Sequence, residues 1–255
     1  MKSATAVLIS GNVRSFTECF PSQLWHVYRK LERPHFFVSV VDEPGSRAVE
    51  VLREHFAQVS IEYLAQPALE STPEMEAARA FAPYGNSVPT AHFLRWMWHQ
   101  ARVWELFLAG RRPGFEYGTF IRMRCDLMFQ RFDLPEVLEP VTVHVPWWGN
   151  YGGCNDRLAL ITSEVAASVY FTIFDQVSSV IAAGCPCHPE SILAGVLELR
   201  QVPVSRTLPA EFFTKRAAGD RRPDAHPVYY AGDIFRYVEA RLAQQLRAQA
   251  GLSRS

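Results

Sequence analysis

Residues 121–129 (IRMRCDLMF) constrain the fold of this chain more than any other segment. The apolar strand predicted at residues 118–123 is followed, where it ends, by Arg124 and Asp126. Strands of a parallel sheet are usually apolar on both faces, because helices cover both sides of the sheet. A charge buried there without a partner costs several kcal/mol. Open α/β sheets bind ligands beyond the carboxyl ends of their strands, so Arg124 and Asp126 are the first candidates for an active site.

The composition gives no electrostatic reason to expect nucleic acid as a partner. Twenty-six basic residues balance twenty-six acidic ones in a chain of 255 residues. The five cysteines exclude a complete disulfide framework, and the N-terminus carries no recognisable secretory signal. No apolar run approaches the roughly 20 residues of a membrane span. We therefore expect a cytoplasmic protein, without a transmembrane segment and at most peripheral to a membrane.

Apolar runs alternate with segments of helical periodicity, which predicts one mixed α/β domain over residues 1–255. Residues 65–88 are rich in proline and predict an irregular segment near the site. The predicted strands are residues 4–10, 35–41, 59–64, 118–123, 141–145, 157–161 and 202–206. The predicted helices are residues 15–31, 46–56, 90–108, 163–181, 189–199 and 233–249.

The first predicted strand ends at Gly11, which is followed by Asn12 and Arg14. A glycine there lets the backbone approach a ligand, and the helix start that follows supplies free N–H groups for an anion. An ordinary turn with a solvated Arg14 is the alternative.

Three chemical roles are open for Arg124 and Asp126. Asp126 has the hard oxygen ligands that suit Mg²⁺ or Mn²⁺ bridging two phosphates. Arg124 could instead neutralise a pyrophosphate directly, because its planar fork matches phosphate geometry. The third role is structural, with the two side chains paired to lock the end of the strand.

The loop at residues 147–157 sets polar residues beside another apolar strand. Its glycines let it bend close to a ligand, and Asp156 can accept hydrogen bonds from hydroxyl groups. Trp147, Trp148 and Tyr151 offer aromatic faces that suit sugar rings, although they also suit any core. A plain turn is the alternative, because Asn and Asp favour turns.

Two later motifs also carry titratable groups. Glu190 follows Pro189 at a predicted helix start. It is either one of the acidic residues that commonly begin a helix or a general base at the mouth of the cleft. His226 lies in a predicted loop and is either a late metal ligand or phosphate contact or an unremarkable histidine. The basic helix at residues 233–249 predicts a packed last helix or a foot on a membrane surface.

Taken in order, these motifs resemble bacterial and viral glycosyltransferase-like proteins of the GT-A fold. The resemblance covers roughly residues 5–206 and rests on the order and spacing of four motifs. These are Gly11-x-x-Arg14, the RMRCDLMF segment at residues 122–129, the GCNDRLA segment at residues 153–159 and the HPES segment at residues 188–191.

The resemblance implies a mixed, mostly parallel sheet flanked by helices, with a nucleotide-binding half at about residues 1–130 and an acceptor-binding half at about residues 131–255. It implies a UDP- or GDP-sugar donor and a glycan or small-molecule acceptor. Members usually hold Mn²⁺ or Mg²⁺ on an Asp-x-Asp motif, and here Arg124 takes the place of the first carboxylate. The metal would then rest on Asp126 with His226 or water, or Arg124 would partly replace it.

The resemblance also assigns roles to individual residues. Glu190 and Asp156 are expected to serve catalysis, with Glu190 placed like the base of many inverting members. The donor side is expected to use Gly11, Asn12, Arg14, Arg124 and Asp126, and the acceptor side Trp148, Asn155 and Arg157. Two other classes remain open: a nucleotide-dependent transferase such as a sulfotransferase, and a non-catalytic carbohydrate- or partner-binding descendant of the fold.

Overall fold

A seven-stranded sheet forms the centre of the protein. The structure, a computed structural model, describes residues 2–13, 15–80, 89–136 and 138–215. The strands run in the order β3-β2-β1-β4-β7-β6-β8, and β5 and β9 form a separate pair. The strands are β1 Lys2–Gly11, β2 Pro34–Val41, β3 Val59–Leu64, β4 Phe115–Met123, β5 Leu127–Phe132, β6 Val143–Pro146, β7 Leu158–Ile161, β8 Val204–Leu208 and β9 Ala210–Thr214.

Helices cover both faces of this sheet. The α-helices are α1 Phe16–His26, α2 Leu52–His55, α3 Pro73–Arg79, α4 Thr90–Gly110, α5 Glu164–Phe171, α6 Val177–Ala182 and α7 Pro189–Leu199. Short 3₁₀ helices lie at Tyr28–Lys30, Ser46–Val51 and Ile173–Gln176. The predicted α/β class, with a mixed and mostly parallel central sheet flanked by helices, is confirmed.

One strand gives the sheet its mixed character. Strands β1 to β4 are mutually parallel where they pair, whereas β7 runs antiparallel to both β4 and β6. Because β7 is reversed, its first residues lie at the edge where the parallel strands end. This reversal brings residues far apart in the chain to one side of the sheet.

Strand alternation divides the core into two layers. On one face Leu8 and Phe37 pack with α4, α5 and α7. On the other face Ile9 and Val38 pack with α1 and with Phe212 of β9. Strands buried on both faces are mostly apolar, which is why the sequences of β1, β2 and the end of β4 read largely as apolar runs.

The structure corrects several predicted boundaries. The helix expected at residues 15–31 ends at His26, and the one expected at residues 163–181 is broken into α5, a 3₁₀ turn and α6. The helix expected at residues 46–56 is mostly 3₁₀. Residues 65–88 were expected to be irregular but include α3, where the Thr72 hydroxyl accepts a hydrogen bond from the backbone N–H of Met75. The helix predicted at residues 233–249 lies outside the described residues.

None of the described helices is by itself long and apolar enough to cross a membrane. Within the part of the chain that the structure describes, one pair of helical segments, Glu164–Phe171 and Ile173–Ala182, bent by 62°, has the length and composition together.

Candidate functional site

Sheet topology gathers the predicted site residues at one edge. Strands β1 and β4 are parallel, with Ile9 beside Met123, so Gly11 lies level with the chain that follows β4. Strand β7 is antiparallel to β4, with Leu158 beside Met123, so Asp156 also lies at that edge. The sequence predicted this meeting from strand ends, but the reversed direction of β7 came only from the structure.

Gly11 closes β1 in a conformation that favours glycine. Its φ of +108° is one that L side chains rarely adopt, and a Cβ there would meet no atom within 4 Å. The glycine is therefore explained by its backbone angle and not by crowding. Asn12 follows at intermediate burial, and Arg14 lies outside the described residues.

Arg124 and Asp126 form a two-pronged ion pair. Arg124 donates from Nε to Asp126 Oδ1 at 2.9 Å and from Nη2 to Oδ2 at 2.6 Å. The Asp126 side chain is 4% exposed and that of Arg124 is 24% exposed. Two parallel bonds to a buried carboxylate are a strong and directional contact. The structural role, one of the three considered from the sequence, is thus seen directly.

A buried glutamine hydrogen-bonds the segment between β4 and β5 that carries this pair. Gln23 on α1 donates from Nε2 to the carbonyl oxygens of Cys125 at 3.0 Å and Leu127 at 2.9 Å. Its Oε1 accepts a hydrogen bond from the hydroxyl of Tyr28 at 2.8 Å. The side chain is fully buried. Sequence reasoning missed Gln23, although a single amide on the apolar face of a helix was a usable signal.

The described residues do not fit the divalent cation that the resemblance implies. Both oxygens of Asp126 accept bonds from Arg124, so a metal at Asp126 would share this carboxylate with the guanidinium and meet its positive charge. Within the described ranges no group of three or more His, Cys, Asp or Glu side chains could hold a metal ion. His226, the other predicted ligand, lies outside those ranges. No chemical step is therefore assigned to a metal here, and metal dependence stays a prediction.

The loop at residues 149–157, called the site loop below, is docked onto the start of α7. A Cβ on Gly153 would lie 1.9 Å from the carbonyl oxygen of Glu190. Cys154 donates its backbone N–H to that same carbonyl at 3.0 Å. Arg206 holds the other side, donating from Nε and Nη2 to the Gly153 carbonyl at 3.1 and 3.0 Å. Gly153 thus permits close contact with α7, whereas the sequence suggested close contact with a ligand.

Docking of the site loop encloses the Glu190 carboxyl group. The residue is 5% exposed, and its Oε2 lies 3.0 Å from Nδ1 of His188. Burial first, and the Asp156 carboxylate second, raise the pKa of Glu190 from 4.5 to about 8, against the opposing charges of Arg157 and Arg124. Burial also lowers the pKa of His188. At neutral pH the pair is therefore mostly uncharged, with a proton on Glu190.

Asp156 lies in the site loop, two residues before β7 begins. One of its oxygens, Oδ1, is 4.0 Å from Nε of Arg157 and makes no hydrogen bond to the described residues. The Arg157 guanidinium lies over the ring of Tyr151, 5.5 Å from its centroid, and Tyr151 is 38% exposed. Tyr151 is therefore the aromatic side chain of the site loop that a ligand can reach.

Two predicted acceptor residues are engaged within the fold. Asn155 is fully buried; its Nδ2 donates to the carbonyl of Trp148 at 3.0 Å, and its Oδ1 accepts from the backbone N–H of Arg157 at 2.9 Å. The Trp148 indole donates to the carbonyl of Ala210 at 2.9 Å and packs 4.6 Å from the ring of Phe212. These contacts shape the site loop, and an acceptor-binding role for either residue stays a prediction.

Comparison with known proteins gives a limited result. No protein-family model matches the chain, and no curated protein matches it. Among solved structures, the apo form of mouse xyloside xylosyltransferase 1 is similar over 80% of this chain and 84% of that chain, at 11% sequence identity and a TM-score of 0.40. A likeness this distant carries no argument about activity, so the function is argued from the site.

Proposed function

We propose that this chain is a glycosyltransferase that moves a sugar from a nucleotide-sugar donor to a hydroxyl group of a glycan or small-molecule acceptor. The observation that carries the proposal is the enclosed Glu190 carboxyl group, whose pKa is raised to about 8, within electrostatic reach of Arg124 and Asp156. A carboxyl group with a pKa near the working pH suits general-base catalysis. The sequence motifs that resemble the GT-A family support the same function.

The donor side of the proposed site is the end of β1 and the corner after β4. Gly11 and Asn12 offer backbone at the sheet edge, and Arg14 is predicted to join them. Arg124 supplies the positive charge for the donor's diphosphate, with Asp126 orienting its guanidinium through two hydrogen bonds. We expect Arg124 to do the charge balancing that a metal does in other members, so UDP- or GDP-sugar binding should not require Mn²⁺ or Mg²⁺.

The acceptor side is the site loop with the start of α7. In the proposed reaction the bond between the anomeric carbon and the donor phosphate oxygen breaks, and its electron pair leaves with the diphosphate. The acceptor oxygen bonds to that carbon, and its proton passes to the ionised form of Glu190, which a pKa of about 8 makes the minor form at neutral pH. Arg124 stabilises the charge that grows on the leaving diphosphate. Asp156 favours a proton on Glu190, and so strengthens it as a base.

Nucleotide binding and turnover test this proposal together. UDP, GDP, UDP-sugars and GDP-sugars would each be added to the full chain, with Mn²⁺ or with EDTA, and the melting temperature measured. A ligand that binds only the folded protein raises that temperature. We expect stabilisation by one nucleotide series in EDTA, and hydrolysis or transfer of its sugar at a measurable rate.

Three variants sharpen the result. Asp126→Ala should abolish turnover, and Glu190→Gln should abolish it while nucleotide binding is kept. Asp133→Ala is the matched control, because Arg131 and Asp133 form the same Arg-x-Asp pair at an exposed position. Full turnover in Asp126→Ala would refute the assignment. Stabilisation by adenosine phosphosulfate nucleotides would favour a sulfotransferase. No stabilisation by any nucleotide would favour a non-catalytic binding module.

A further inference from the structure

The face of α4 that meets the sheet changes from apolar to polar along its length. Val103 and Phe107, in its C-terminal half, are fully buried in the apolar core. The same side of the helix, followed towards its N-terminus at helical spacing, carries Gln100, His99 and Trp96. His99 and Gln100 are almost completely buried. A helix packed on a sheet normally continues its apolar stripe, so this change needs an explanation.

The strands beneath α4 change in the same way. Leu8, Phe37 and Phe120 point into the core on the α4 face. Two residues further along their strands, and so on the same face, come Ser10, Ser39 and Arg122. Ser10 and Ser39 are neighbours in register, and Leu8 is beside Arg122. The polar ends of these strands lie under the polar half of α4, with the guanidinium of Arg122 5.8 Å from the ring centroid of Trp96.

These side chains form the α4 polar cluster, and they share one property. Each has buried nitrogen or oxygen atoms that make no hydrogen bond to any described residue. The cluster consists of Ser10, Ser39, Trp96, His99, Gln100 and Arg122. Buried polar groups in folded proteins are nearly always satisfied by protein, water or ligand. Six such residues at one place indicate a site built to receive a polar group.

Arg122 identifies the chemistry of that group. Its Nη1 donates to the carbonyl of Met123, whereas its Nε and Nη2 donate to no acceptor among the described residues. These are the same two nitrogens that Arg124 uses to grip the Asp126 carboxylate. Together they form a planar fork that matches a carboxylate or a phosphate. The side chain is fully buried, so the charge is not balanced by bulk water.

The rest of the cluster is electrically suited to an anion. Arg95, one helical turn before His99, adds a second cation with a buried and unbonded Nε. Burial lowers the pKa of His99 to about 4, so its ring is neutral and has one N–H to donate. The cluster itself contains no carboxylate. Asp156 influences Arg122 from a distance, but no described carboxylate forms an ion pair with it.

We propose that the α4 polar cluster binds a compact anionic group, a carboxylate or a phosphate, on the Nε and Nη2 atoms of Arg122. The site lies at the same sheet edge as Gly11 and Arg124. Where the ligand is a nucleotide sugar, an identity that rests on the proposed function, the group is either the carboxylate of an acidic sugar or a phosphate of the donor.

Paired probes that differ in charge test this site on the full chain. Glucuronate and glucose differ by one carboxylate, and inorganic phosphate represents the other source. Thermal shift and calorimetry would be measured with each probe, and with UDP, GDP, UDP-glucuronate and UDP-glucose. We expect stabilisation by glucuronate or by phosphate and none by glucose. The anion that stabilises more strongly identifies whether the site binds a sugar carboxylate or a phosphate.

Arg122→Met should weaken binding of that anion by about tenfold or more, because two charge-assisted bonds are lost. Arg111→Met is the matched control, since Arg111 is exposed and paired with Glu164, and it should bind as the wild type does. Gln100→Leu gives a second route if Arg122→Met does not fold, and it should also weaken anion binding. Equal shifts with glucose and glucuronate and none with phosphate, or unchanged binding in the variants, would overturn the proposal.

The outcome is separable from that of the proposed function. UDP or GDP binding without any preference for an anion would leave the proposed function standing and overturn the anion site. Anion binding that depends on Arg122, with no response to any nucleotide, would support the anion site and overturn the proposed function.

Discussion

Arg122 and Arg124 lie two residues apart at the end of β4, yet their surroundings are opposite. The fork of Arg124 is filled by Asp126, a carboxylate on the same turn of chain. The fork of Arg122 has no acceptor among the described residues, although the side chain is more deeply buried. The guanidinium of Arg124 is oriented by a carboxylate of its own loop, whereas that of Arg122 has no such partner among the described residues. The comparison separates an arginine whose position is fixed by a carboxylate from one whose Nε and Nη2 atoms have no acceptor among the described residues.

The same contrast holds for the carboxyl groups of the site. Asp126 is buried but paired, so its charge is stabilised where it lies. Glu190 is buried without a cation in contact, and a pKa of about 8 means that it keeps its proton at neutral pH. Pairing decides whether a buried charge is a fixed part of the fold or a group that can still react.

The largest expected effect comes from breaking the Arg124–Asp126 pair. Asp126→Leu removes the carboxylate and leaves Arg124 partly buried without its partner. Breaking a buried pair typically costs about 3–5 kcal/mol in the free energy of unfolding. Urea unfolding of Asp126→Leu would measure the loss. Asp133→Leu breaks the exposed pairs with Arg131 and Lys30 and should cost about 0–1 kcal/mol. Equal losses in Asp126→Leu and Asp133→Leu would contradict the contrast.

The second effect is a pH dependence set by Glu190. Its pKa is raised from 4.5 to about 8, so the folded protein keeps a proton that the unfolded chain releases. The stability that this residue contributes is present below pH 4.5 and is lost as the pH rises towards 8. Glu190→Gln should therefore nearly match the wild type at pH 5 and exceed its free energy of unfolding by on the order of 4 kcal/mol at pH 9.

Glu164→Gln is the control for this pH series. Glu164 lies in the first turn of α5, as Glu190 does in α7, but it is exposed and paired with Arg111. It should show no gain at high pH. A Glu190→Gln variant whose stability parallels the wild type from pH 5 to pH 9 would show that the carboxyl group is not buried as described.

Local sequence was sufficient for the parallel half of the fold. Continuous apolar runs predicted β1, β2 and the end of β4, because burial on both faces leaves little choice of residue. The edge strand β3, whose residues are all of intermediate burial, was predicted as well. Strand β9 was not predicted, since its pairing with β5 joins segments some eighty residues apart. The break between α5 and α6 was missed as well, because apolar residues continue through it.

The candidate site was predictable in part for the same reason. Charges after β4 and at the start of β7 stood out against apolar strands, so Arg124, Asp126 and Asp156 could be selected. Arg122 could not be told apart from Arg124. Whether a charged side chain on a strand finds a partner depends on the residues packed over that strand, here those of α4. Such tertiary contacts cannot be read from the local sequence. The enclosure of Glu190 depends likewise on docking by Gly153.

A smaller effect tests whether Gln23 keeps the Arg124–Asp126 pair in position. Gln23→Leu removes both hydrogen bonds to the corner and leaves the buried carbonyls of Cys125 and Leu127 without that donor. We expect a loss of about 2 kcal/mol in the free energy of unfolding. Gln176→Leu is the control, because Gln176 accepts only an exposed bond from Arg200. Nucleotide affinity should fall in Gln23→Leu, whereas anion binding at Arg122 should be unchanged; a change at both sites would show that the two arginines are not independent.

The smallest effect has the opposite sign and bears most directly on the comparison. In Arg122→Met a buried, unpaired cation is replaced by an apolar chain of similar length. Such replacements are often stabilising, so the free energy of unfolding without ligand should rise by about 1 kcal/mol. Arg124→Met should lower it, because Asp126 loses its partner. Urea unfolding in buffer free of phosphate and carboxylate would compare the two variants. A loss of stability in both would mean that Arg122 is already satisfied in the folded protein, whereas opposite signs would show that its charge is kept at a cost that only a ligand can offset.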